Sequence, residues 1–320
     1  MDLIYMNNAR EDQGVLHDYK LDLAYGKDEN DFELQIPSSA HCCEAGFYLY
    51  IDGTEYGGIV DDVGSDTDAA EVTYTGRTWH GLLNSKIIEP NAGEDYLVLT
   101  GDANAILEAL ILRLGLGDLF AASEEDSGFY ISGYKMNRYI AAYDGIKKML
   151  NTVAGKLRFT FENGKVLLSA HPRGDYTQDG EVDSDLVDLK VKRHYHPVNH
   201  LICLGRGSLS NREVLHLYVD AYGNISKTQT FTGMDERTEV YDYANVESID
   251  ELESGGINKL KELALADEVE VAFDEDGDQY EIQDIVGATD NITGLMATAE
   301  ITKKIVTIEN GQITISYKVG

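Results

Sequence analysis

The chain is poor in cysteine, proline, tryptophan and cations. Three cysteines occur in 320 residues: Cys42, Cys43 and Cys203. An odd count with a vicinal pair argues against a disulfide framework and for a reducing compartment, with at least one thiol packed as a small apolar side chain. No apolar run approaches the roughly 18–20 residues that span a bilayer. The first residues lack the basic and apolar regions of a secretory signal. Together these absences point to a protein made in a cytoplasm, with no stable membrane association. Lys and Arg number 26 against 57 Asp and Glu, a formal net charge of −31. Between Lys27 and Arg77 there is no cation at all, whereas carboxylates recur from Asp28 to Glu71. Phosphate binding needs clustered cations, so this stretch repels nucleic acid. It reads either as a solubilising surface or as an acidic wall past which DNA slides.

The usual chemical signatures are missing too. There is no Gly-x-Ser-x-Gly, His-Glu-x-x-His or Cys-x-x-Cys, and the Gly-x-Gly pairs lack the rest of a nucleotide-binding fingerprint. No catalytic residue and no cofactor is assigned. Two weak metal candidates stand out. His194 and His196 would share one face of a strand, as paired imidazole ligands do. Asp175 and Asp179 occupy ligand positions of a partial calcium loop, with Leu186 where the bidentate Glu is required. For both, the simpler reading is exposed polar side chains near strand ends and in a loop.

What the chain does have is strand patterning. Residues 1–93 read as a first β-barrel-like domain, with strands at Leu16–Ala24, Phe32–Ile36, Phe47–Ile51, Gly58–Val63 and Val72–Gly76. Residues 94–185 read as an α/β insertion. Asp102 caps a helix carrying Ile106, Leu107, Leu110, Ile111 and Leu114, and a second helix is expected from about Arg138 to Val153. An Asn163-Gly164 hairpin joins Leu157–Phe161 to Val166–Leu168. Residues 186–320 read as a second β-barrel-like domain with a helical excursion near 246–268, in which Gly255-Gly256 weakens the helix. The class is α+β, rich in β. Twenty tyrosines suit strands and subunit interfaces, the simpler explanation, and leave a glycan-binding module open.

The segment from Val72 to Pro90 carries the single Trp and no catalytic constellation. Arg77, Trp79, Leu83 and Ile87 are its candidate interface residues, one offering a charge and three offering apolar contact. Its Gly76, Arg77, Thr78, Leu83, Lys86, Ile87 and Ile88 resemble the Gly-Arg-(Ser/Thr)-x-x-x-x-Leu-x-x-(Arg/Lys)-Ile-Ile pattern of the siphophage tail hub family. These are proteins similar to the N-terminal hub region of tail-associated lysins and to the baseplate hub of contractile phage tails. Asp31–Pro37, Gly58–Asp62, Asn199–Gly205, Leu217–Asp220, Gly223–Ile225, Glu281–Val286 and Asn310–Gly320 resemble further strands of that family in the same order. The resemblance implies two small β-barrels with α/β insertions, and a homotrimeric ring that continues the tail tube and lets DNA pass. It implies a place at the virion tail tip, with tail tube, distal tail, tape-measure and fibre or spike proteins as partners. Lytic activity in such proteins usually lies in appended domains, so a chain closing on a hairpin at Gly320 is expected to be no enzyme. The alternatives are a cell-wall hydrolase and a glycan-binding receptor module.

Overall fold

The computed structural model describes residues 2–177, 187–193, 197–244, 246, 248–264, 267–275, 280–289, 296–309 and 311–319. The elements run β1 (Leu3–Met6), β2 (Asp12–Leu16), β3 (Lys20–Gly26), β4 (Asp31–Pro37), β5 (Tyr48–Tyr50), β6 (Gly57–Asp66), β7 (Glu71–Thr78), α1 (Trp79–Asn84) and β8 (Ile87–Ile88). There follow β9 (Leu97–Asp102), α2 (Ala103–Arg113), β10 (Phe120–Ala122), β11 (Tyr130–Met136), β12 (Ile140–Ala141), α3 (Ala142–Asn151), β13 (Gly155–Glu162) and β14 (Lys165–Pro172). The remainder is β15 (Val187–Arg193), β16 (His200–Leu204), β17 (Val214–Val219), β18 (Ile225–Ser226), β19 (Thr238–Asp242), α4 (Ile249–Leu263), β20 (Asp267–Glu275), β21 (Ile285–Thr289), β22 (Met296–Glu309) and β23 (Gln312–Val319). With 45% strand against 19% helix, the class is α+β with strand dominant.

The sequence places boundaries after residues 93 and 185. By contacts the chain divides into two compact units, residues 1–189 with 271–320, and residues 190–270. In the first unit the strand order is β20-β23-β22-β3-β4-β7-β6-β5-β1-β2, so the last strands of the chain sit beside the first. Among the described residues this path stays open and closes into no barrel. Strict alternation sets its two faces. Leu21, Leu23, Phe32, Leu34, Val72, Tyr74, Val306, Ile308, Ile315 and Tyr317 are buried, and the residues between them face outward.

The 94–172 region forms no separate core. Trp79 and Leu83 of α1, Met6 and Tyr50 share one apolar cluster with Leu107, Ile111, Met149, Leu150, Phe161 and Leu168. That shared burial explains why a boundary at 93 does not separate compact bodies. The local signals fare well. Asp102 Oδ1 accepts from the backbone N–H of Asn104 (2.9 Å) and Ala105 (3.2 Å), capping α2 as expected. Asn163 and Gly164 both have positive φ (52° and 74°), the hairpin turn their pairing demands. The strand expected over Leu16–Ala24 is two strands, broken at His17–Tyr19, and the second helix begins only at Ala142.

The second unit packs α4 on a sheet ordered β18-β17-β16-β19, with Leu201, Cys203, Leu217, Leu252 and Leu260 at its core. Here Gly256 has a specific task. A Cβ on it would lie 2.5 Å from the Cys203 sulfur, so glycine is what lets helix and sheet approach this closely. No helix among the described residues is long and apolar enough to cross a membrane.

Candidate functional site

In β7, Gly76 faces a bulge in β6, where the register shifts between Val60 and Asp62. A Cβ on Gly76 would sit 1.9 Å from the Ile59 carbonyl oxygen. The extra residue, Asp61, turns its carboxylate onto Arg77. Arg77 Nε and Nη2 donate to Asp61 Oδ2 (2.8 Å) and Oδ1 (2.7 Å), and the Arg77 backbone N–H donates to Oδ2 (3.1 Å). These hydrogen bonds hold the Asp61 carboxyl below the usual carboxylate range.

Thr78 caps α1, its Oγ1 accepting from the Gly81 N–H (3.3 Å). Trp79 and Leu83 then point into the chain and have no exposed surface. The Trp79 ring stacks on Phe161 with centroids 5.5 Å apart. A side chain with no accessible surface offers nothing to a neighbouring subunit, so the expected docking role is corrected for these two residues. Arg77, with 42% of its side chain accessible, and Ile87, 47% exposed, remain on the surface.

Two neighbouring rows on the outward face of the large sheet are polar, while the row on their other side carries Ile305, Ala24, Arg77 and Ile59. Thr314, Thr307, Asp22, Glu33, Thr75 and Asp62 form one row across six strands, set by the registers β23–β22–β3–β4–β7–β6. No apolar side chain and no cation interrupts it. The next row reads Gln312, Glu309, Lys20, Gln35, Thr73 and Gly64. Lys20 lies 3.2 Å from Asp22, and Thr307 Oγ1 donates to Asp22 Oδ1 at 2.6 Å. Beside these rows lies a groove of about 520 Å³, lined by carboxylates such as Asp31 and Asp61 together with Arg77 and the apolar Leu23, Phe32 and Ile305. Burial first, and then the negative charge of Glu29, raise the Asp31 carboxyl above its ordinary value.

Two buried charge clusters escaped the sequence reading. Lys304 sits on the core face of β22 with Tyr25 and Tyr317 as register partners, and its Nζ donates to Glu55 Oε1 at 2.7 Å. His80 Nε2 lies 3.3 Å from Glu55 Oε2. Burial alone would raise the Glu55 carboxyl, but the Lys304 charge and His80 hold it well below the carboxylate range. Burial lowers His80, with Lys304 and Lys147 acting in the same direction against Glu55. Its Nδ1 is buried without a hydrogen-bond partner among the described residues. Nearby, Lys156 Nζ donates to both oxygens of Asp284 (2.7 and 2.9 Å) and lies 2.5 Å from Glu281, which also accepts from Arg158 Nε at 2.7 Å. A cavity of about 170 Å³ lies between the clusters, lined by Glu55, His80, Tyr143, Arg158 and Glu281. No single stretch of sequence signals these groups, because Lys304 and Glu55 are 249 residues apart.

Of the metal candidates, Asp179, His194 and His196 lie outside the described residues. Asp175 accepts from its neighbour Thr177, at backbone N (3.1 Å) and Oγ1 (2.6 Å). His200, the third histidine of that stretch, meets Glu236 through Nδ1 (2.6 Å) and His216 Nδ1 through Nε2 (2.8 Å). Among the described residues no three His, Cys, Asp or Glu side chains converge as a metal set.

No protein-family model matches the chain, and no curated protein matches it. Solved structures do. The 43 kDa tail protein of prophage MuSo2 from Shewanella oneidensis aligns over 100% of this chain and 98% of its own, with TM-score 0.55 and 13% identity. Prophage tail protein gp18 from Listeria monocytogenes aligns over 99% and 94%, with TM-score 0.52 and 10% identity. A tail protein from Neisseria meningitidis aligns over 99% and 95%, with TM-score 0.51 and 12% identity. At such identities the likeness is one of fold, and it runs along the whole chain.

Proposed function

We propose that this chain, which has the fold of prophage tail proteins, is a structural component of a phage or prophage tail, carried in the virion at the tail tip. Three copies would form a hub ring that continues the tail tube, with open sheet edges completed by neighbouring subunits or by tube proteins. The observation that carries this reading is the pair of polar, carboxylate-bearing rows on the outer face of the large sheet. A wall that passes DNA must hold no phosphate, and rows of carboxylates, threonines and glutamines, whose one cation Lys20 lies against Asp22, meet that need. Distal tail, tape-measure and fibre or spike proteins are the partners this role implies. No enzymatic step is part of it.

The test is assembly. Multi-angle light scattering at rising concentration, alone and with tube protein, should give a trimer mass. Negative-stain images should show a ring with a central opening. A chain that stays monomeric under both conditions refutes the hub. Clearing of purified peptidoglycan, abolished by His194→Ala or His196→Ala, would replace the structural reading with the hydrolase.

A further inference from the structure

After β4 the chain turns through Ser38–Ala40 into His41-Cys42-Cys43. Cys43 is fully buried, whereas Cys42 is partly accessible. The dipeptide is held by one oxygen. Tyr74 Oη accepts from the backbone N–H of Cys42 (3.2 Å) and Cys43 (3.3 Å) and lies 2.7 Å from His41 Nδ1. With two N–H donors on that oxygen, the hydroxyl proton goes to His41 Nδ1, which is therefore an acceptor already in use. The two sulfurs lie 3.5 Å apart.

That separation discriminates between two fates. A disulfide needs the sulfurs at about 2.05 Å and Cα atoms about 4.4–6.8 Å apart. Neighbouring residues across a trans peptide have Cα atoms only about 3.8 Å apart, so direct closure requires the sulfurs to move by roughly 1.5 Å against the backbone. A single atom bonded to both sulfurs asks for far less. With metal–sulfur bonds of about 2.3 Å and a tetrahedral angle, the sulfurs sit about 3.8 Å apart, a change of roughly 0.3 Å from what is observed. The pyramidal geometry of trivalent arsenic narrows the angle and brings the required spacing closer still.

We propose that Cys42 and Cys43 form a two-thiol clamp for a thiophilic element bound through one bridging atom, with trivalent arsenic and soft divalent cations as its class. With an organic arsenoxide the reaction balances without redox change. Two S–H bonds and the arsenic–oxygen bond break, two arsenic–sulfur bonds form, and the oxygen leaves as water. The remaining substituent on arsenic stays toward solvent on the Cys42 side, so no third protein ligand is required.

The probe is phenylarsine oxide, added to the folded full-length chain and followed by intact-mass spectrometry. The expected result is a one-to-one adduct that a small dithiol removes and excess monothiol does not. It should be lost in Cys42→Ser and in Cys43→Ser and kept in Cys203→Ser. If the serine variants do not fold, the wild-type chain still decides, because arsenical treatment must then block alkylation of Cys42. Absence of an adduct, its survival in Cys42→Ser, or unblocked alkylation overturns the clamp. So does diamide closing a Cys42–Cys43 disulfide in the folded protein, since that contradicts the spacing argument.

Discussion

Replacing Lys304 with methionine tests the buried Glu55–Lys304–His80 cluster, because it should flatten the fall of stability in mild acid. Lys304 has 1% of its side chain accessible and Glu55 has 20%. Removing one partner of such a pair leaves an uncompensated buried charge, at a cost of about 3–5 kcal/mol. In a unit this large each kcal/mol moves the melting midpoint by about 2–4 °C, so Lys304→Met should lower it by roughly 6–20 °C. In the wild type the folded-state value of His80 is depressed. Its contribution is therefore complete above its unfolded value, near 6.5, and is lost as pH falls below that. The Glu55 contribution, also from a depressed value, is complete above about 4.3 and lost only in stronger acid. In the methionine variant the ammonium that disfavours imidazolium is gone, and Glu55 attracts the proton. The folded value of His80 then rises toward its unfolded one, against burial and Lys147, which still lower it, so the loss of stability as pH falls through the imidazole range should be shallower than in the wild type. Urea denaturation across that range reads the slope directly. A variant whose slope is as steep as that of the wild type, or that loses less than about 1 kcal/mol, refutes the coupling. The double variant with Glu55→Gln should recover much of the loss.

Changing Asp22, Glu33 and Asp62 together to lysine reverses the charge of the central row and should create salt-sensitive DNA binding, measured by fluorescence anisotropy, where the native chain should show none. Continued absence of binding would remove electrostatics as the reason for that face. Trp79→Ala should cost about 3–5 kcal/mol in denaturant melts, whereas Ile87→Asp should leave the melt within about 0.5 kcal/mol and be visible, if anywhere, in assembly mass. Arg77→Ala removes a half-exposed ion pair and should cost about 1 kcal/mol or less. Gly256→Ala should destabilise the second unit by about 1–3 kcal/mol through the Cys203 clash, which calorimetry would register as an early transition.

Much of the architecture follows from local chemistry alone. Period-two patterning in Asp31–Pro37 and Val72–Gly76 determined which face of each strand is buried, because one peptide unit turns successive side chains to opposite sides. Asp102 and Asn163-Gly164 set a helix start and a turn because their own side chains and backbone freedom satisfy the geometry there. The acidic balance, too, is a property of composition, and so is the lack of any catalytic motif. Pairing between distant segments is another kind of information. Only the folded chain brings β22 and β23 beside β3, lines up Asp22, Glu33 and Asp62 in one row, and buries Lys304 against Glu55. The same holds for Trp79, whose ring could serve a subunit interface or a core equally well until Phe161 and Tyr48 are seen against it. Apolar surface carries no direction in sequence. Long-range strand order decides which apolar side chains meet within the chain and which stay open to a neighbour.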